Sequence, residues 1–592
     1  MSLIVQKFGG SSVANSEKIM AAARKAIRAQ QQGHQVVMVV SAMGKNTDAL
    51  VALAKEISEQ PPAREMDMLL STGEQVSVAL MAMAIHALGG QAVSLTGGQI
   101  GIKTDSSHTK ARIQSISTER LRKDLDAGNV VIAAGFQGVD DALNITTLGR
   151  GGSDTTAVAL AAVLRADMCD IYTDVDGVFT TDPRIVPSAR MMDRVSHDEM
   201  LELASLGAGV MHSRSIEFGK KFDVPIRVLN SASFGDEQGT IIGPVSESVD
   251  RAVGGCALTK NEARISLSGV PDKPGTMDRV FSHLAKVNVA VDMIVQNIGA
   301  GGRADIAFTV LESDLPVALR MVEEAAAELG GEVTHDASLS KVSVVGLGMA
   351  TQTGVADRMF RALADAKVNI QAITTSQIKI SCLVERSQGL EALRAIHDEF
   401  ELEKAPSSRS NFGGGGKSAD RPNPVDVVAR LQRMEDLTID DVRLDQTQGR
   451  VSIAQLPDQP GIAAALFEEV AAEGLLVDMI VQGAGHDGVA NLSFTVPRAA
   501  VAKAANVVAE LAEKLGCGPV TSDPTIAILS VFGVGIRTHV GVGSRMFKAL
   551  SDAGINVEMI NTSEVRVNVV IDAEKGEAGL KALRTVFADV MG

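Results

Sequence analysis

Residues 3–27 read LIVQKFGGSSVANSEKIMAAARKAI: an apolar strand, then Lys7, two glycines and two serines, then an amphipathic helix. The same phrase recurs down the first part of the chain. VVMVVSAMG begins at Val36, VVIAAGFQGVD at Val130 and CDIYTDVDGVF at Cys169, and each is a strand running into a turn. Between them lie long helical stretches, MDMLLSTGEQVSVALMAMAIHAL and SDTTAVALAAVLRA. Continuous apolar strands alternating with helices predict a mostly parallel sheet sandwiched by helices, over residues 1–245. In such folds ligands collect where loops leave the carboxyl ends of the strands. The notable polar motifs of this chain all fall there.

Composition narrows the classes. With 592 residues, 45% hydrophobic and 22% charged, the chain can bury several cores. A net charge of −16 and the absence of Trp argue against nucleic acid as a partner. No run is read as approaching the ~20 apolar residues of a membrane span, and no secretory signal is read at the start. Cys169, Cys256, Cys382 and Cys517 lie far apart and form no metal or disulfide pattern, so reduced thiols in a cytoplasmic protein are expected.

The second half repeats itself. PDKPGTMDRVF begins at Pro271 and PDQPGIAAALF at Pro457, and the phrases around Arg358 and Arg545 match in the same way. Such repeats mean duplicated structural units. Within each copy a strand, a glycine loop, a helix and another strand occur twice. Four α+β ferredoxin-like modules in succession are expected, one pair over 250–402 and one over 437–592. The segment 403–436, with its SNFGGGGKSADRPNP, has linker composition.

Three loops combine glycine with charge. Lys7 to Ser12 reads either as a tight bend or as a phosphate cradle, with glycine N–H groups and a helix N-terminus facing anionic oxygens. It is not GxxxxGK[ST]. Thr147 to Thr156 (TLGRGGSDTT) offers Arg150 for a bidentate grip on a carboxylate, while Ser153 or Asp154 reads equally as a helix cap. Tyr172 to Arg184 (YTDVDGVFTTDPR) reads as a polar hairpin or as a nucleotide loop. In the second reading Asp174 accepts from sugar or base, Arg184 reaches phosphate, and the carboxylates share Mg2+ with the phosphates. Glu74 suits a substrate ammonium or a solvated helix face; Ser41 suits an anion or a plain turn.

Taken in order, KFGGSS, SAMG with a later threonine, LLSTGE, TLGRGGSDTTA and YTDVDGVFTTDPR resemble the aspartate kinases of the amino-acid kinase family. The resemblance runs over essentially the whole chain. It implies ATP-dependent phosphorylation of the side-chain carboxylate of L-aspartate, the opening step towards lysine, threonine and methionine. Carried over by motif, Lys7 and Asp154 are catalytic, Asp154 orienting Lys7. ATP is implied to meet Lys7, Phe8, Gly9, Gly10, Ser41, Thr173, Asp174, Phe179, Asp182 and Arg184. Aspartate is implied to meet Ser41, Thr47, Glu74, Arg150, Gly151, Gly152 and Ser153, with Arg150 on its α-carboxylate and Glu74 on its ammonium. Mg2+ is expected to arrive on ATP, with no metal site of the protein's own.

Two positions depart from the family pattern. Gly209 stands where some members carry a lysine near the phosphates, so that charge is either absent here or comes from elsewhere, with Lys220 and Arg184 as the candidates. Phe179 stands where tyrosine is frequent.

The PDKPG and NIQAITTS phrases resemble the ACT regulatory modules that follow such kinases. They imply inhibition by lysine, threonine or both, and a homo-oligomer formed through the modules. By motif the first pair would bind effector through Asp292, Gln296, Gly354, Val355, Asn369 and Ile370. The duplicate would use Asp478, Gln482, Gly541, Val542, Asn556 and Val557. The rival readings are a kinase of glutamate, acetylglutamate or carbamate, and a non-catalytic amino-acid sensor. A fused homoserine dehydrogenase is not expected.

Overall fold

Val36, Met38 and Val40 point to one side of the strand Gln35–Val40, Val37 and Val39 to the other, and all five are buried. The computed structural model describes every residue except 1, 208–209, 234–237, 249–250, 299–301, 407–433, 484–487, 538, 540 and 592. One face of the sheet packs on the helices Ser16–Gln31 and Ala63–Ala87 through Ile19, Ala22, Ala26, Met81 and Ile85. The other packs on Gly152–Leu164, every residue of which is buried. A strand covered on both faces has no side that tolerates polarity, hence its unbroken apolar run.

The sheet has eight strands, in the order Arg194–Ser196, Thr240–Gly243, Ile226–Asn230, Met168–Thr173, Leu3–Phe8, Gln35–Val40, Val130–Ala134, Ala92–Leu95. Only Ile226–Asn230 and Thr240–Gly243 pair antiparallel. A smaller four-stranded sheet lies in the order Ile113–Ile116, Ile102–Thr104, Gln137–Val139, Ile145–Thr147. Its last strand delivers the chain into Leu148-Gly149-Arg150.

The helix Ala63–Ala87 corrects one expectation. An 18-residue window within it has a mean hydropathy of 1.4, so by length and composition it is long and apolar enough to cross a membrane. Slightly over half of that window is buried in the fold, and its inner face carries Asp67 and Glu74, each nearly inaccessible.

The second half of the chain holds the expected modules, but they are interleaved and not simply strung one after another. The 17-residue strand Gly255–Pro271 begins alongside residues 341–345 and, past a register shift between Thr259 and Glu262, continues alongside Arg303–Leu311. Residues 262–339 thus form a module nested inside the one that resumes at 341. The second repeat does the same: Thr438–Asp445 pairs with Ile526–Val534, and the strands between them belong to a nested module. One long strand with a bulge serves two modules at once, which a repeat read along the chain does not reveal.

The association of the modules is also crossed. The nested module of the first repeat shares a core with the enclosing module of the second, where Phe281 and Phe547 lie 5.3 Å apart. The enclosing module of the first shares one with the nested module of the second, through Phe360 and Phe467 at 5.4 Å. Antiparallel pairing of Ile373 with Gln482 and Thr374 with Val481 joins the strands of both first-repeat modules to the nested module of the second in a single ten-stranded sheet. The linker expected over 403–436 falls mostly on residues 407–433, outside the described residues; Met434–Asp436 lie against the first domain.

Candidate active site

Parallel pairing brings the carboxyl ends of Leu3–Phe8, Gln35–Val40, Val130–Ala134 and Met168–Thr173 to one edge. The loops beyond them are laced together by backbone. Ser41 N–H donates to the Phe8 carbonyl (3.1 Å), Gly135 N–H to that of Val40 (3.2 Å) and Gly9 N–H to that of Tyr172 (3.3 Å).

Lys7 sits near the end of its strand, buried, with Nζ 2.5 Å from Asp154 Oδ1 on the helix Gly152–Leu164. The ammonium lies over Gly9, 3.4 Å from where a side chain would begin. A side chain on Gly10 would begin 2.8 Å from the Ala42 carbonyl and 3.1 Å from that of Gly44, so only glycine lets these two loops close. Two expectations are corrected here. Gly10–Val13 is a single 3-10 turn, and the long helix begins only at Ser16, capped by the Asn15 side chain. Its N-terminus is therefore not aimed through Gly9 and Gly10. Phe8 is wholly buried and stacked on Tyr172 at 4.6 Å, so its side chain belongs to the core and not to a nucleotide site.

Glu74 approaches the same loop from the helix Ala63–Ala87. Its Oε1 accepts from Ala42 N–H at 3.0 Å, while Oε2 is buried without a hydrogen-bond partner among the described residues. Burial pushes the carboxyl up to about 7, against the lowering effect of the Ala42 hydrogen bond. An acid raised above its ordinary 4.5 holds its proton in the folded state after the unfolded chain has lost it. Stability relative to Glu74→Gln should therefore fall as pH rises from about 4.5 through about 7 and then level off, as denaturant titrations across that window can read.

Ser41 and Thr47 are half-buried, one at the strand end and the other in the first turn of Asn46–Ile57. Ser153 is buried against Gly135, whose missing side chain would begin 2.7 Å from Ser153 Oγ. Arg150 is exposed, between Gly149 and Gly151, which have φ of +77° and +69°. It has no ion-pair partner among the described residues. Gly151 lies directly on His212, and Gly152 between Leu148 and Phe136.

Sequence reading missed Asp67. Its carboxylate is wholly buried and accepts from Thr147 Oγ1 (2.5 Å), Thr109 N–H (3.0 Å) and His108 Nδ1 (2.7 Å), pinning the start of the Arg150 loop. The signal was an acid in the apolar run MDMLL.

On the nucleotide side Thr173 ends its strand and donates to Asp174 at 3.2 Å, with Asp174 exposed. Phe179 is half-buried and bridges to Met191. Asp182 and Arg184 pair with each other at 2.7 Å, and the Arg184 hydrogen bonds hold the Asp182 carboxyl below its usual range. Lys220, one candidate for the missing charge, is engaged by Asp198 at 2.7 Å. Gly209 lies outside the described residues.

The effector residues regroup. Asn369 and Ile370 face the other repeat: Asn369 Nδ2 donates to Asp458 Oδ1 (2.8 Å) and Gln482 Nε2 to the Ile370 carbonyl (3.3 Å). Asn556, beside Val557, likewise donates to Asp272 Oδ1 at 2.8 Å. Gly354 and Val355 line a 270 Å³ cavity with Asp478, and Gly541 and Val542 line a 100 Å³ cavity with Asp292. The grouping within each repeat is thus corrected to one across repeats, because the modules associate crosswise. Asp292 is corrected further. Its carboxylate is buried against Lys341 (2.6 Å) and Arg537 (3.6 Å), whose charges hold it well below the carboxylate range despite burial, and it serves as a structural counter-ion. Both acceptors, Asp272 and Asp458, stand at matching places in the repeated phrases PDKPG and PDQPG.

A model of the amino acid kinase family matches residues 2–230, and an ACT domain model matches 265–326, 342–400, 451–511 and 529–587. The chain is 50% identical over 413 residues to an aspartate kinase of Stutzerimonas stutzeri (strain A1501), covering 69% of this chain and all of that one. Aspartokinase 2 of Bacillus subtilis (strain 168) is 50% identical over 410 residues, again covering 69% of this chain and all of the relative. Among solved structures, the aspartate kinase from Synechocystis is 38% identical over 99% of this chain and 98% of its own, with a TM-score of 0.53. E. coli aspartokinase III in complex with aspartate and ADP is 25% identical over 67% of this chain and 99% of its own, with a TM-score of 0.58.

Proposed function

Since the chain belongs to the aspartate kinases of the amino acid kinase family, we propose that Lys7, held by Asp154, meets the phosphoryl group passing from ATP to the side-chain carboxylate of L-aspartate. The observation that carries this reading is the double use of Ala42. Its N–H binds Glu74 while its carbonyl closes on Gly10, so the phosphate loop and a buried carboxylate with one free oxygen share a single residue.

Aspartate lies with its ammonium on Glu74, its α-carboxylate on Arg150 and its side chain towards Lys7; Ser41, Thr47 and the Gly151-Gly152-Ser153 backbone complete its site. ATP lies across Gly9 and Gly10 towards Thr173, Asp174 and Phe179. Arg184 reaches phosphate by leaving Asp182, a small step for a solvent-exposed pair. Mg2+ enters with ATP as part of the substrate. The acceptor carboxylate is already a nucleophile at neutral pH, so no general base is needed. The bond from the γ-phosphorus to the bridging oxygen of ADP breaks as the carboxylate oxygen bonds in line, giving 4-phospho-L-aspartate and ADP. Positioning and neutralisation of the phosphoryl oxygens supply the acceleration. ADP release measured with aspartate, glutamate, N-acetylglutamate and carbamate tests the reading: turnover of glutamate but not aspartate overturns it.

We further read the Asp458–Asn369 and Asp272–Asn556 contacts as two effector sites, for lysine, threonine or both. Gln482 Oε1, beside the first contact, and its repeat counterpart Gln296 Oε1 are buried without partners among the described residues, as expected of groups awaiting a ligand. Lysine accompanies aspartate in a structure of E. coli aspartokinase III. Asn369→Ala and Asn556→Ala should each raise the half-inhibitory concentration of one effector by roughly tenfold, the loss of a half-buried charge-assisted contact. Inhibition curves with lysine and threonine, separately and together, assign the sites. Curves that superimpose on the parent's for both variants refute them.

A further inference from the structure

The residues just before the second repeat are built into the first domain. Met434 is 1% exposed and belongs to that domain's core. Its N–H donates to the Gln114 carbonyl at 3.2 Å, and Glu435 N–H to that of Ile113 at 3.3 Å. Arg112 and Lys221 donate back to the Glu435 and Asp436 carbonyls at 3.4 and 3.1 Å.

The Glu435 carboxylate meets Arg214 Nη2 at 2.5 Å, with both side chains largely buried. Arg214, at the start of the helix Ser213–Phe222, has two further acceptors, the carbonyls of Leu148 (2.5 Å) and Ala111 (3.0 Å). Leu148 directly precedes Gly149-Arg150, and Gly151 rests on His212, two residues before Arg214. Arg150, Asp154, Arg214 and Glu435 all line one cavity of 1110 Å³.

We propose that Glu435, contributed from outside the kinase domain, is a positioning residue for the aspartate-binding loop: it holds the Arg214 guanidinium on the Leu148 carbonyl and so fixes where Arg150 is presented. A guanidinium on two carbonyls alone is a half-buried charge without a counter-charge. Without Glu435 it turns into the cavity and releases the loop. Only Asp436 and Leu437 separate Glu435 from the strand Thr438–Asp445 of the second repeat, so movement of that repeat pulls on it.

The inference rests on the reading of Arg150 as the aspartate ligand, and the test separates the two. Full-length Glu435→Gln, Glu435→Asp and Arg150→Ala are compared for kcat, both KM values and thermal unfolding. Glu435→Gln is expected to raise KM for aspartate by about tenfold, leaving KM for ATP and kcat within about twofold. Glu435→Asp, which keeps the charge, should fall between it and the parent, and decides the matter if the glutamine variant does not fold. Glu435→Gln added to Arg214→Lys should cost little beyond the larger single effect. If Arg150→Ala raises KM for aspartate and neither Glu435 variant does, the inference fails alone. It also fails if both KM values rise together with a lowered unfolding temperature. If Arg150→Ala leaves KM for aspartate unmoved, the underlying reading fails.

Discussion

Lys7→Ala is expected to lower kcat by roughly a thousandfold or more, a loss of about 4 kcal/mol, with much smaller changes in either KM. The ammonium is buried at the joint mouth of the central strands, and Asp154 holds it there at 2.5 Å. A charge so fixed does most when negative charge shifts during transfer, and less for either substrate at rest. Truncation also leaves Asp154 facing the phosphates uncompensated, adding repulsion to the lost attraction. Lys7→Arg should restore little, because a planar guanidinium is bulkier than the ammonium that lies 3.4 Å from the Gly9 Cβ position. Steady-state kinetics with both substrates varied decide this. A kcat within about tenfold of the parent removes Lys7 from the reaction.

Arg150→Ala is expected to act on aspartate alone, raising its KM by about a hundredfold, the worth of a bidentate charge-assisted contact of some 2–3 kcal/mol. Its surroundings make it the cleanest test in the site. Arg184 is engaged by Asp182 and Arg214 by Glu435, so truncating either strands an acid. Arg150 is exposed without such a partner among the described residues, and its loss leaves no buried charge behind. The thermal unfolding midpoint should therefore stay where it is. A fall in that midpoint with aspartate KM unchanged would make Arg150 a structural residue.

The parallel sheet was legible because burial on both faces forces an unbroken apolar run, and Val36 to Val40 carries that signal without help. The Lys7 and Arg150 loops drew notice as glycines and charges gathered at strand ends, each with a structural alternative beside it, whereas Glu74, in the middle of the helix Ala63–Ala87, was picked out only by its motif. The place of the Phe8 side chain was not legible, since the motif says nothing of it and only the fold stacks it on Tyr172. Asp67 was overlooked because a lone acid in a helix usually faces water, and only the fold brings Thr147 and Thr109 to it. The nested modules escaped because one continuous strand, Gly255–Pro271, belongs to two of them, and alternation along a strand does not say which neighbour it feeds. The regrouping of the effector residues escaped for a related reason. A repeat reveals equivalent positions, but Asn369 and Asp458, 89 residues apart, are partners and not equivalents.

That crosswise partnership has a consequence for how regulation depends on dilution. Two regulatory halves on separate chains meet by collision, and below their dissociation constant the interface comes apart. Joined in one chain, they see each other at an effective concentration set by the connecting segment, of millimolar order for flexible joins and only weakly dependent on length. Both cross-repeat interfaces then stay formed however dilute the protein becomes.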